Sequence, residues 1–105
     1  MTKFVLLYNG GSEPAGEAEM AAEIQEWHAW YGQLGSAVVD DGNPFSAVAR
    51  RIDSDGSVGD VPAVQANGYT IISAESLDEA VEKAKSCPVL KSGGQISVYE
   101  TFNIG

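Results

Sequence analysis

Apolar and polar positions alternate along this chain with two distinct periods. Residues 2–9 (TKFVLLYN) are rich in aromatic and branched side chains and stop at Asn9-Gly10-Gly11, the pattern of a strand closed by a turn. A polar loop through Pro14 and Gly16 follows. From residue 17 to 34 the period changes: Met20, Ile24, Trp27, Tyr31 and Leu34 recur at steps of four, three, four and three, the stripe of an amphipathic helix. Glu17 and Glu19 suit its positive N-terminal end and Gly35 suits its C-terminal stop. Residues 36–39 predict a short strand, and Asp40-Asp41-Gly42-Asn43-Pro44 is a run of turn formers. A further strand is expected over 45–52, a turn at Ser54-Asp55-Gly56-Ser57, and a loop over 58–67. Residues 68–74 (GYTIISA) form the strongest strand pattern in the chain.

The second helix announces itself by a capping box, Ser76-Leu77-Asp78-Glu79, with Leu77, Ala80, Val81 and Ala84 on its inward face and Pro88 preventing its continuation. Residues 95–102 read as the last strand. Without the weakest strand the order is βαββαβ, a ferredoxin-like split arrangement in the α+β class, with two helices on one face of an antiparallel sheet. The 105 residues are expected to make a single domain over 1–105 with one core.

Two helices can cover only one face of such a sheet. Yet Phe4, Leu6 and Tyr8 oppose Val5 and Leu7, and Tyr69 and Ile71 oppose Ile72 and Ala74, so both faces are apolar. A second layer is therefore expected. The loop over 58–67 could supply it, but a second copy related by a two-fold axis fits better, giving a homodimer. Burying about 400–600 Å² per subunit at about 25 cal/mol per Å² gives about 10–15 kcal/mol gross, enough to offset association costs.

Fifteen acids against six scattered bases leave a formal charge of −9. That field repels nucleic acid and anionic membrane surfaces, so neither is expected as a partner. No apolar run approaches the length of a membrane span, and residues 4–8 are too short for a secretory leader, so a cytoplasmic location is expected by default. The lone Cys87 closes an apolar helix face before Pro88 and reads as a small buried hydrophobe rather than a nucleophile.

His28 is the only histidine, which excludes histidine-based metal clusters; no metal and no cofactor are expected. It lies about 80° to one side of the helical stripe and Trp30 about 80° to the other, so both are boundary residues. His28 can act as a general acid or base beside the core, with Asp40 or Asp41 as its orienter; the bland readings are a partly exposed helix histidine and turn chemistry. Arg50 and Arg51 point to opposite faces of a strand, so one could clamp a ligand anion, or both could pair with surface acids. Trp27, Tyr31 and Tyr69 could line an apolar ligand pocket or simply fill the core. The glycines at 10–11 and 93–94 make no phosphate loop.

The segments Gly68-Tyr69-Thr70-Ile71-Ile72, Ser76-Leu77-Asp78-Glu79-Ala80, Cys87-Pro88 and Gly94 through Ile96-Ser97-Val98, with Phe4-Val5-Leu6-Leu7-Tyr8 and the helix around Trp27 to Gly35, resemble the YCII-related family and its DGPF-type branch. The resemblance implies a ferredoxin-like fold paired as a dimeric α+β barrel. Two departures limit what it implies for chemistry. The Asp-Gly-Pro-Phe signature is replaced by Gly59-Asp60-Val61-Pro62-Ala63, and the family's histidine position is occupied by Ile24, so its histidine–aspartate pair does not carry over. Two functions remain: a small-molecule-binding homodimeric domain with its cleft between sheet and helix, or a cofactor-independent lyase or isomerase using His28 with Asp40 or Asp41 on a small organic substrate.

Overall fold

The computed structural model describes residues 1–11, 15–61 and 66–104. Its main sheet has four antiparallel strands in the order β2 (Val38–Asp40), β5 (Gly68–Ala74), β1 (Thr2–Gly10), β6 (Gly94–Glu100). With helices α1 (Glu17–Leu34) and α2 (Leu77–Ala84) this is the ferredoxin-like α+β fold. β3 (Arg51–Ile52) and β4 (Val58–Gly59) pair only with each other, as a separate hairpin.

Strands β1 and β5 form where β-branched and aromatic side chains alternate, and they pair in register from Thr2 opposite Ala74 to Tyr8 opposite Gly68. Phe4, Leu6, Tyr8, Thr70, Ile72 and Ala74 point to the helices and are buried, while Val5, Leu7, Tyr69 and Ile71 on the other face are only half-buried. The molecule measures 44 × 41 × 18 Å, and its short dimension accommodates one sheet and one layer of helices. Among the described residues the second apolar face therefore has no covering layer.

Helix α2 starts as its capping box requires: the Glu79 amide donates to Ser76 Oγ at 3.1 Å. The Glu79 carboxylate does not reach back. It pairs instead with Lys83, one turn on, at 3.2 Å. Ala80 and Ala84 are buried in the core, but Leu77, expected inside, is 46% exposed in the first turn of the helix.

Helix α1 has the expected bounds, with Gly35 at φ 57 accepting the left-handed stop and donating its N–H to the Tyr31 carbonyl. Its buried face is rotated from the one expected. Trp30, expected at the boundary, is 2% exposed and its Nε1–H donates to the Lys83 carbonyl of α2 at 3.1 Å. Met20 and Ile24, expected in the core stripe, are 51% and 50% exposed. An 18-residue helix is about 27 Å long, and only its C-terminal half packs on sheet and α2. The first half overhangs the end of the sheet.

Three further expectations are corrected. Residues 35–37 form a 3₁₀ turn before β2. The strand expected over 45–52 is confined to Arg51–Ile52, preceded by an isolated bridge from Pro44 to Gly68; Pro44 has no N–H to extend the ladder. The loop expected over 58–67 begins with strand β4, while residues 62–65 lie outside the described part, as do residues 12–14 of the loop through Pro14. Among the described residues no helix is long and apolar enough to cross a membrane.

Candidate functional site

The overhang of α1 creates a cleft. Its floor is the end of the sheet, where β1 leaves through Gly10-Gly11 and β5 enters from Asn67-Gly68; its walls are the face of α1 from Met20 to Tyr31 and the turn after β2. The volume is about 740 Å³, within the range of small-molecule sites.

Aromatic rings make the inner surface. Trp27 stands edge-on to Tyr8 with centroids 5.4 Å apart and lies 5.9 Å from Tyr31. Phe45 and Tyr69, 5.9 Å apart, close the far side. Met20 and Ile24 lie on the rim, which explains their exposure: they face the cleft rather than the sheet.

Hydrogen bonds hold the floor. The buried Tyr8 hydroxyl donates to Thr70 Oγ1 at 2.7 Å, and Thr70 Oγ1 donates to the Asp41 carbonyl at 3.2 Å. The same carbonyl accepts from the Tyr31 hydroxyl at 3.1 Å. Burial pushes the Tyr8 and Tyr31 hydroxyls above the ordinary phenol range, with the Asp41 charge adding to the shift at Tyr31, so both are protonated donors at neutral pH. Gly42 lets the turn lie against β5. It has φ 77, and a Cβ there would fall 1.7 Å from the Tyr69 carbonyl oxygen.

The expected site residues separate into two groups. Trp27, His28, Tyr31, Asp41 and Tyr69 converge on the cleft. His28 is exposed on its wall, and among the described residues no carboxylate lies within ion-pair distance of it. Asp40 does not line the cleft. Its Oδ1 accepts from the Gly42 N–H at 2.8 Å and its Oδ2 from the Tyr69 hydroxyl at 3.2 Å, the role its turn sequence suggested. That carboxylate raises the Tyr69 hydroxyl above its usual range.

Arg50 and Arg51 lie beside and within the hairpin, away from the cleft walls. Arg51 Nε pairs with Asp53 at 3.0 Å, and Arg50 Nη1 donates to the adjacent Ala49 carbonyl. Cys87 is buried and its thiol is pushed up to about 11 by desolvation, which removes thiolate chemistry at neutral pH. Among the described residues no group of three or more His, Cys, Asp or Glu could hold a metal ion.

Glu23, Asn43, Phe45 and Asn67 join the walls without having been singled out from the sequence. Asn43 and Phe45 looked like turn and strand residues. Only their position flanking Pro44, whose bridge to Gly68 carries the turn across the sheet end, places them at the site.

No family model matches this chain, and no curated protein matches it. Among solved structures it is similar to 5-chloro-2-hydroxyhydroquinone dehydrochlorinase, TftG, from Burkholderia phenoliruptrix AC1100, in complex with 2,5-dihydroxybenzoquinone. The identity is 18%, the match covers 96% of this chain and 95% of the other, and the TM-score is 0.55. At that identity the likeness shows the fold alone, the ferredoxin-like architecture; the resemblance to the YCII-related family has no family model behind it.

Proposed function

We propose that this chain is a homodimeric domain that binds a small, flat, largely apolar organic molecule in the cleft under α1. The ring-walled cavity carries the reading: about 740 Å³ with Tyr8, Trp27, Tyr31 and Tyr69 around it and a few polar groups among them. The dehydrochlorinase of like fold is in complex with a small quinone, which supports the same ligand size. The test is a titration of phenol into ¹⁵N-labelled protein. Shifts concentrated at the Trp27 indole, His28 and Gly68 are expected; shifts scattered over the surface, or none, refute the reading.

The homodimer reading is supported by the sheet face bearing Val5, Leu7, Tyr69 and Ile71, which no described element covers. Sedimentation at micromolar concentration is expected to show twice the 11.0 kDa chain mass, and Leu7→Lys to shift the population towards monomer. A monomer at every concentration rejects it.

A second reading has one observation in its favour. His28 shares the cleft with Asp41 and Tyr31, an arrangement suited to moving a proton on a bound ring, as a cofactor-independent lyase or isomerase must. Of the two aspartates only Asp41 lines the cavity. Chloride release from 5-chloro-2-hydroxyhydroquinone, abolished by His28→Ala, supports this reading; release undiminished in that variant rejects His28 as the base.

A further inference from the structure

The cleft is conspicuous for the charges it lacks. Glu23 and Asp41 are on its walls and no lysine or arginine is. All six bases are elsewhere: Lys83 with Glu79, Lys85 with Glu82, Lys91 with Glu26, Arg51 with Asp53, and Arg50 and Lys3 on exposed strand and turn backbone. Residues 12–14, 62–65 and 105 contain no Lys or Arg either, so no segment of this chain outside the described part brings a cation. A carboxylate or phosphate entering the cavity would meet two like charges with only His28 able to answer them.

The hydrogen-bond inventory points the same way. The Tyr31 hydroxyl spends its one proton on the Asp41 carbonyl. The Gly42 N–H is taken by Asp40, the Phe45 N–H by the Asn67 carbonyl at 2.9 Å, and the Asn67 side-chain amide by the Gly10 carbonyl at 2.8 Å. What these groups leave pointing outward is acceptor capacity: the Tyr31 oxygen and the carboxylates of Asp41 and Glu23. The side-chain donors left for a ligand are His28, the Trp27 indole, the second N–H of the Asn67 amide and the Asn43 amide, and none of them belongs to a lysine or arginine.

We infer that the cleft selects uncharged aromatic rings carrying hydroxyl donors, and discriminates against anionic ligands, with Tyr31 and Asp41 as the specificity-determining acceptors. The inference rests on the cleft being a ligand site and narrows its ligand class. A ring hydroxyl donates to the Tyr31 oxygen or the Asp41 carboxylate while the ring lies among Trp27, Tyr8 and Tyr31. A ligand without a donor leaves those acceptors unpaired, which is where hydrogen-bonding sites discriminate most strongly.

Calorimetric titration of the full chain at pH 7 with three probes decides it: hydroquinone, its donor-capped analogue 1,4-dimethoxybenzene, and 4-hydroxybenzoate, which keeps one phenol and adds a charge. Hydroquinone is expected to bind at least about tenfold more tightly than either of the others. Asp41→Asn, which keeps the backbone carbonyl that orders the floor, and Glu23→Gln, on an exposed helix turn, are each expected to narrow the gap between hydroquinone and 4-hydroxybenzoate. Equal binding of the dimethoxy compound overturns donor selection. Equal or tighter binding of 4-hydroxybenzoate overturns the charge argument, and its loss in Arg50→Ala would then locate an arginine clamp contributed across a dimer. If none of the three binds, the ligand-site reading itself fails.

Discussion

Replacing Gly42 by alanine adds one methyl group at the point where the turn after β2 lies against β5. The backbone there has φ 77, a left-handed conformation that costs an L-residue about 1–2 kcal/mol. The new Cβ would also fall 1.7 Å from the Tyr69 carbonyl oxygen and 2.7 Å from its carbon, both backbone atoms that cannot swing aside. The turn must retreat from β5, and its retreat breaks the 2.8 Å bond from the Gly42 N–H to the Asp40 carboxylate, a charge-assisted contact worth about 1.5–3 kcal/mol. The two contributions give about 2.5–5 kcal/mol, a large share of a stability of about 5–15 kcal/mol. At about 4–8 °C per kcal/mol for a domain of this size, melting should fall by at least about 10 °C. Two controls separate the causes. Gly93→Ala, at φ 87 with open space around its Cβ, carries only the conformational cost of about 1–2 kcal/mol. Gly32→Ala, in the interior of α1 with nothing within 4 Å, should stabilise by about 0.5–1 kcal/mol. Circular-dichroism melts at one fixed protein concentration read all three. A Gly42→Ala protein that melts no lower than Gly93→Ala would refute the close approach as the cause.

The remaining expectations concern the core. Trp30→Phe should lose about 1–3 kcal/mol in urea unfolding, through the vacated volume and the lost bond to the Lys83 carbonyl, while the half-buried Trp27→Phe should cost less; a larger loss at Trp27 would mean that α1 packs by the face its sequence stripe suggests. Burial raises the Cys87 thiol from 9.0 to about 11, so the folded state holds that proton more tightly than the unfolded chain. The resulting stability is fully present below pH 9 and is lost as pH rises through 11, about 2–3 kcal/mol in all. Urea midpoints measured across that window should fall more steeply in the wild type than in Cys87→Ala, which retains the parallel contributions of Tyr8, Tyr31 and Tyr69; identical slopes would remove Cys87 as a cause.

How far the site was legible in the sequence depended on the range of the interactions involved. His28, Trp27, Tyr31 and Asp41 could be named as candidates because their residue types suit a ligand cleft and three of them share a helix. Their grouping with Asn43, Phe45 and Asn67 could not, because it comes from a bridge between Pro44 and Gly68 across 24 positions of chain. The arginine pair illustrates the opposite failure. Reading Arg50 and Arg51 as alternating on one strand was sound stereochemistry, but that strand shrinks to two residues in a detached hairpin, and the cleft is left without a cation.

By itself the sequence determined what depends on local chemistry and period. The bounds of α1 and β5, the Ser76 cap, the stop at Gly35, the burial of Cys87 and the two apolar faces of the sheet all follow from neighbours a few residues apart. Tertiary structure alone decided the rotation of α1. A stripe on a helical wheel shows which residues are apolar, but not how much of the helix has a partner beneath it. Here the sheet ends under the middle of α1, so Trp30 turns into the core against α2 while Met20 and Ile24 are left over open space. That unfilled overhang is the cleft, and no periodicity within α1 could have revealed it, because its cause is the length of another element.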